Sequence, residues 1–401
     1  MLPKIFKGIY HFTVYAIGFL VLTAAIVVTF IRLFLPDIGI YRGEVEAWVS
    51  RYMGYPVAIH SLDATWEGWV PHLQLGDIDL LNKAGTQAIT HFDSAQIRIA
   101  PLATLIKRRI VPKQLTIIGF EVPVARLSNG SIYIEGINVS NPQIPQLEDN
   151  ELAEWLFKQE QIKIQNGTIE WLDIKHQQKP ILLSDVNLIL RSDGQRLQAD
   201  GSAKLPEQYG KNIDFSFDAY GDLLSSEWSG ELYLTGRDIN PDHWYKDYRP
   251  LNFNISGGNT NVKVWSRWQD AMLSGLEGEL EYDNFDARAG DNELHVRELA
   301  YRFEGKRIDT DGWQVQLNLN NLLTDNGNWP KTNITISGTR KTPSEGYRYS
   351  ASFNYLKLDD LSPFISNLMF IPDSVKDKLA VVSIQGHLKQ GKIIYDPNKE
   401  P

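Results

Sequence analysis

Ile213-Asp-Phe-Ser-Phe-Asp218 alternates apolar side chains with acidic or hydroxyl ones without a break. A period of two is the mark of an extended strand with one greasy face and one wet face. The same alternation recurs on both sides of this stretch. Toward the carboxyl end come Leu232/Leu234, Val262/Val264, Leu276/Leu280/Tyr282, Val315/Leu317/Leu319, Ile334/Ile336 and Tyr349/Ala351/Phe353/Tyr355. Polar sets stand opposite, such as Gln314, Gln316, Asn318 and Asn320, or Arg348, Ser350, Ser352 and Asn354. Toward the amino end, Val186/Leu188/Leu190 leads into Asp193-Gly194 as a turn, and Asn166-Gly167 reads as a turn from Ile162/Ile164 into Ile169/Trp171. Earlier still, Val57/Ile59, Leu73/Leu75, Ile78/Leu80, Ile97/Ile99 and the long run Leu115–Leu127 read as strands, with Asn129-Gly130 as a hairpin turn.

Alternation over a dozen or more strands requires a partner layer for the greasy face. Two solutions stay open on pattern alone. One is a sandwich or closed barrel, whose core that face becomes. The other is an elongated, twisted antiparallel sheet curled into an open groove, a half-barrel with few helices. A groove presents more apolar surface than a soluble monomer usually exposes, so it should hold something apolar. Its lining would be Ile97, Ile99, Leu115, Ile117, Val186, Leu188, Leu190, Ile213, Phe215, Phe217, Leu232, Leu234, Val262, Val264, Val315, Leu317, Leu319 and Phe353.

Ahead of the strands, Ile9 to Ile31 contain no Asp, Glu, Lys or Arg. As a helix they would reach ~34 Å at ~1.5 Å per residue, enough for a ~30 Å hydrocarbon core. The anchor side chains would be Ile9, Phe12, Val14, Ile17, Phe19, Leu20, Val21, Leu22, Ile26, Val27, Phe30 and Ile31. Lys4 and Lys7 precede the run, which places the amino terminus in the cytoplasm and the β-domain across the membrane. A cleaved signal peptide has a shorter apolar core, whereas this run continues through Leu33-Phe-Leu35. Next, Tyr41, Val45, Trp48, Val49 and Tyr52 form one stripe of a short helix ending at Gly54. That stripe either rests on the membrane interface or caps the start of the sheet. Pro101 opens another short helix bearing Leu102, Leu105 and Ile106, with Lys107, Arg108 and Arg109 at its carboxyl end. Those cations either complement the helix dipole or contact anionic lipid headgroups.

The expected organisation is a cytoplasmic tip and anchor over 1–36, and a first β segment over 37–140. A linker at 141–150 (Asn141-Pro-Gln-Ile-Pro-Gln146) precedes a continued β segment over 151–401. A short helix bearing Leu152, Trp155 and Leu156 should follow the linker, and another should run from Leu361 to Lys378 around Pro363 and Pro372. The chain stops at Asn398-Lys-Glu-Pro401 without a closing element and reads as an interrupted series rather than a finished domain.

Several kinds of chemistry are excluded or disfavoured. The net charge of −9 argues against nucleic acid, which needs clustered positive charge. The absence of cysteine removes disulfides, thiolate metal sites and thiol nucleophiles. The eight histidines show no paired-ligand spacing, and neither a phosphate-binding glycine loop nor Gly-x-Ser-x-Gly occurs. Glu279, Glu281 and Asp286 near Trp265 and Trp268 resemble a glycosidase carboxylate set, but solvent-face charges on alternating strands explain them more simply. No enzyme, metal or cofactor is expected.

Four ordered stretches carry a family resemblance. The first is the anchor with Tyr55-Pro-Val-Ala-Ile-His60, Trp66-Glu-Gly-Trp69 and His72-Leu-Gln-Leu-Gly-Asp-Ile-Asp79. The second is Ile97-Arg-Ile-Ala-Pro-Leu102 with Leu115-Thr-Ile-Ile-Gly-Phe-Glu121. The third is Ile164-Gln-Asn-Gly-Thr-Ile-Glu-Trp171 with Leu183-Ser-Asp-Val-Asn-Leu188, and the fourth is Glu227-Trp-Ser-Gly-Glu-Leu-Tyr233. Over the chain to about residue 245 this order resembles the AsmA-like family, and within it the YhdP branch. The resemblance implies an inner-membrane-anchored periplasmic protein of Gram-negative bacteria whose β-groove carries phospholipid toward the outer membrane. Family members are considerably longer, so the resemblance implies that this sequence is either an amino-terminal fragment or a truncated reading frame. Two other classes stand beside lipid transfer: a periplasmic scaffold that docks outer-membrane or periplasmic proteins by strand addition, and a carbohydrate binder with Trp platforms.

Overall fold

The computed structural model describes residues 12–23, 25–26, 29, 35–67, 70–82, 84–100, 103–104, 106, 111–128, 132–134, 159–175, 179–223, 225, 227–245, 254–289, 292–309, 312–340, 346–365 and 385–396. They are mainly β-structure and fall into two compact units, 1–121 with 151–163, and 122–150 with 164–401.

In the first unit, β1 (Val57–Glu67), β2 (Val70–Leu81), β3 (Ala88–Ile99) and β4 (Pro112–Arg126, to Glu121 in this unit) form an antiparallel meander. Ile59 faces Ile78, Leu62 faces Leu75, and Leu73 faces Ile97, which in turn faces Leu115. This face is closed. Helix α1 (Arg42–Met53) lays Val45 and Val49 on it, and Leu75 and Ile59 retain only 2% and 3% of their surface. Gly54 ends the helix in a left-handed conformation, φ 77°, its N–H bonded to the Ser50 carbonyl. The helix also seals the edge of β1. Ser50 Oγ accepts the Val57 N–H at 2.9 Å, Glu46 Oε2 accepts the Ile59 N–H at 3.3 Å, and Arg42 donates to the His60 carbonyl at 3.0 Å. Edge groups left open would invite foreign strands. Of the Tyr41–Tyr52 stripe, Val45 and Val49 cap the sheet, Tyr41 stays exposed, and the Tyr52 side chain lies outside the described residues.

The second unit is dominated by one antiparallel ladder. It runs through β7 (Ile181–Ser192), β8 (Arg196–Lys204), β9 (Asn212–Asp222), β10 (Glu227–Ile239), β12 (Asn259–Gln269), β13 (Met272–Ala289), β14 (Asn292–Asp309), β15 (Gly312–Thr324), β17 (Thr332–Thr339), β18 (Arg348–Lys357) and β19 (His387–Tyr395). The short β11 (Asn254–Ser256) and β16 (Gly327–Asn328) pair with β13 and β15. β5 (Ile132–Ile134) pairs with the end of β4, and β6 is Gln161–Asp173. Asp193-Gly194 makes the expected turn, and the strand it leads into, β8, is one that the alternation did not single out. Gly194 takes φ 90°, and Asp193 Oδ1 accepts the N–H groups of Gln195 and Arg196 at 3.0 and 2.9 Å.

Two short helices decorate the strand ends, α2 (Pro241–Tyr245) and α3 (Leu358–Ile365). α3 is held by Asp360, which is 1% exposed. Its carboxylate accepts from Thr324 Oγ1 (3.0 Å), Asn326 Nδ2 (2.6 Å) and Trp329 Nε1 (2.6 Å).

Two expectations need correction. Asn166-Gly167 does not reverse the chain: β6 runs through it, Asn166 absorbing the irregularity at φ 52° while its N–H reaches Asn187 Oδ1 at 3.3 Å. The strand β14 was not anticipated at all. The Asn129-Gly130 turn, the linker at 141–150, the helix near Trp155 and the part of the Leu361–Lys378 helix beyond Ile365 lie outside the described residues. Of the apolar amino-terminal run, residues 12–23 are helical, and Phe12, Val14, Ile17, Phe19, Leu20, Val21, Leu22 and Ile26 are exposed. Ile9, Val27, Phe30 and Ile31 lie outside the described residues, among which no helix is long and apolar enough to cross a membrane.

An uncovered apolar face as the candidate site

Register decides which side chains share a face, because direct antiparallel partners point the same way. One chain of partners crosses eleven strands of the second unit. Leu188 faces Gly201, Gly201 faces Phe215, and Phe215 faces Leu234. Leu234 then faces Val264, Val264 faces Gly278, and Gly278 faces Phe303. Phe303 faces Leu317, Leu317 faces Ile334, Ile334 faces Phe353, and Phe353 faces Gly391. No polar residue interrupts this row.

A second row lies beside it: Leu190, Ala199, Phe217, Leu232, Ser266, Leu276, Gly305, Val315, Ile336, Ala351 and Ile393. On the other flank, Ala203, Ile213, Gly236, Val262, Leu280, Tyr301, Leu319 and Thr332 form a third. Ten strand spacings of ~4.8 Å make the central row ~48 Å long, and the outer rows lie ~14 Å apart. The product is on the order of 700 Å², at or beyond the largest apolar patch of an ordinary monomer.

That face is not sealed. Leu188, Phe215, Leu234, Val264, Phe303, Leu317 and Ile334 in the central row are all half-buried, and no second sheet covers them among the described residues. A sandwich core would have buried them. The opposite face is wet: Asp200, Ser216, Tyr233, Trp265, Glu277, Glu304, Gln316, Thr335, Ser352 and Lys392 succeed one another in register. Ion pairs cross it, as between Arg267 and Glu277 (2.9 Å) and between Arg196 Nε and Asp218 (2.7 Å). Arg196 also holds the Asp218 carboxyl below the usual carboxylate range.

Of the side chains anticipated for a groove, Leu188, Leu190, Ile213, Phe215, Phe217, Leu232, Leu234, Val262, Val264, Val315, Leu317, Leu319 and Phe353 fall on these three rows. Val186 is buried beside a register shift between Ser184 and Asn187. Ile97, Ile99 and Leu115 belong instead to the core that α1 closes, on the face of the first unit where Ile117 pairs with Ala95. Lys107, Arg108 and Arg109 lie outside the described residues. Sequence reasoning did not place Tyr301, Phe303 or the glycines on the rows.

The carboxylates near the tryptophans are ordinary solvent-face charges. Glu279 meets Lys263 and Arg302 at 3.7 and 3.8 Å, and Asp286 meets His295 at 2.7 Å. Trp265 and Trp268 point to opposite faces, Trp265 tilted on Tyr233 and Trp268 stacked on Trp228. In the first unit His91 lies 2.9 Å from Asp79, and that hydrogen bond raises its pKa. No group of three or more potential metal-binding side chains occurs among the described residues.

A long β-ladder with one wet face and one uncovered apolar face defines a class distinct from sandwiches and closed barrels: a one-sided sheet built around an apolar surface. The chain belongs to the YhdP family, whose model matches residues 2–399. It is similar to the intermembrane phospholipid transporter YhdP of Escherichia coli (strain K12), with 20% identity over 327 residues. That match covers 79% of this chain and 24% of the relative, so the chain spans about a quarter of the relative's length. No solved structure matches the chain.

Proposed function

We propose that this chain supplies a stretch of phospholipid-bearing track in a YhdP-type intermembrane transporter. Its apolar rows carry acyl chains while headgroups remain toward water. The observation behind this reading is the uncovered central row from Leu188 to Gly391. A continuous apolar surface of that size is costly in water and is satisfied by a mobile apolar ligand. The family's named member supports phospholipid as that ligand. The reading is non-enzymatic, in keeping with a relative named as a transporter: the face acts as a surface along which a ligand moves. The apolar run from Ile9 to Ile31 anchors the chain in the inner membrane, with Lys4 and Lys7 on the cytoplasmic side and the sheet in the periplasm. Net movement toward the outer membrane belongs to the same proposal, as does contact of Lys107, Arg108 and Arg109 with anionic headgroups.

Photo-crosslinking in intact cells tests the face directly. A photoreactive phenylalanine at Leu234 or Leu317 should capture radiolabelled phospholipid on the full-length chain. The same probe at Thr235 or Gln316, one residue away on the wet face, should capture little. Equal capture from both faces, or none from the apolar one, overturns the reading.

A further inference from the structure

Four glycines on the apolar face have no conformational reason to be glycine. Gly201, Gly278, Gly338 and Gly391 lie inside or at the edge of regular strands, and none has a positive φ. Glycine weakens a strand interior, so something else must explain its presence. Each has an aromatic ring as its direct register partner: Phe215, Phe303, Trp313 and Phe353 respectively. Each ring also occupies the space that a Cβ would need. A Cβ on Gly201 would lie 2.4 Å from the Phe215 ring, and one on Gly278 would lie 2.3 Å from Phe303. The distances are 2.6 Å at Gly338 from Trp313 and 2.1 Å at Gly391 from Phe353. Strand side chains ordinarily stand away from the sheet. These rings lie down across the neighbouring strand, and only a residue without a side chain permits it.

We infer that the four glycine–aromatic pairs set the clearance of the lipid track: the recumbent rings form a low apolar floor, and any side chain at the glycine lifts its ring into the path. This rests on the phospholipid-track reading and adds the residues that fix its depth. Three of the four pairs sit in the central row, near both ends and the middle, so the floor is levelled along its whole length. A purely local role, in which the ring only shields the bare strand, predicts loss of stability on substitution but no selective effect on cargo.

The test uses the Gly201–Phe215 pair, because the three atoms nearest a Cβ on Gly201 all belong to the Phe215 ring, whereas a Cβ on Gly278 would also lie 2.9 Å from the Lys263 carbonyl oxygen. The photoreactive probe is placed at Leu234, the register partner of Phe215 in the central row, in the full-length protein in cells. Capture of phospholipid by the parent establishes that the track is loaded; absence of capture there refutes the track reading itself and not merely the floor. Given capture by the parent, G201A should lower the yield several-fold while protease resistance of the sheet persists. G201A/F215A should restore it, since no ring is left to stand. Unchanged capture in G201A, or a double variant no better than G201A, overturns the inference. Should G201A fail to accumulate, F215A and G201A/F215A decide. Equal capture in the two supports the inference, and a lower yield in the double variant refutes it, because alanine would then act without any ring to lift.

Discussion

Phe217 shows how much hangs on whether a face is covered. It sits in the second apolar row between Ala199 and Leu232, its ring edge-on to Trp228 with centroids 5.8 Å apart. In a sealed core, Phe217→Asp would strand a carboxylate and cost as much as a domain's whole stability of ~5–15 kcal/mol. On this sheet the carboxylate reaches water, so the expected loss is the lost apolar contact alone, about 1–3 kcal/mol. The variant should therefore melt cooperatively a little below the parent while losing photo-captured phospholipid, since a passing acyl chain would have to desolvate the charge. A variant that unfolds outright would mean the face is sealed. Asp360 is the opposite case. Its carboxylate is buried and accepts three side-chain hydrogen bonds, so Asp360→Ala orphans the Trp329 N–H and its companions. The cost should be on the order of 3 kcal/mol in denaturant unfolding. A change within about 0.5 kcal/mol, typical of unstructured surface sites, would show that α3 is not pinned there.

At the level of elements, legibility followed how cleanly each strand kept its period. β9 alternates without interruption, and its apolar set was plain from six residues. β14 is hard to read because an irregularity between Val296 and Glu298 breaks its phase, and because its charged residues, Glu293, Arg297, Glu298, Arg302, Glu304, Lys306, Arg307 and Asp309, outnumber its apolar ones. Asn-Gly misled for a related reason. The pair favours left-handed backbone in hairpins and in kinked strands alike, and at Asn166 it serves the second. The split fate of the anticipated lining was not readable either. Ile97 and Leu234 have the same local pattern, yet one lies under α1 and the other under no element among the described residues, because coverage is decided by a distant amphipathic segment. Nor does the sequence announce the glycine–aromatic pairs, whose members stand 14 to 38 positions apart and meet only through register. The polar sealing of β1 by Ser50, Glu46 and Arg42 is likewise a tertiary fact.

For the whole molecule, the first question is sidedness. Lys4 and Lys7 before the uncharged run predict that a reporter fused after Pro401 is active on the periplasmic side. Activity in the cytoplasm would remove both the anchor and the periplasmic setting from the proposal. The second question is what the row geometry allows in evolution. Each register row advances by one strand spacing, and an antiparallel ladder changes in pairs of strands. The path is therefore counted in hairpins: adding one lengthens it by about 9.6 Å and returns the chain to its former direction. With the alternation kept, the floor on either side stays in phase, and no surviving contact need be redesigned. A lone strand inserted or lost would reverse every turn downstream of it. Reach can thus be tuned by duplication in discrete increments, independently of the clearance that the aromatic rings set.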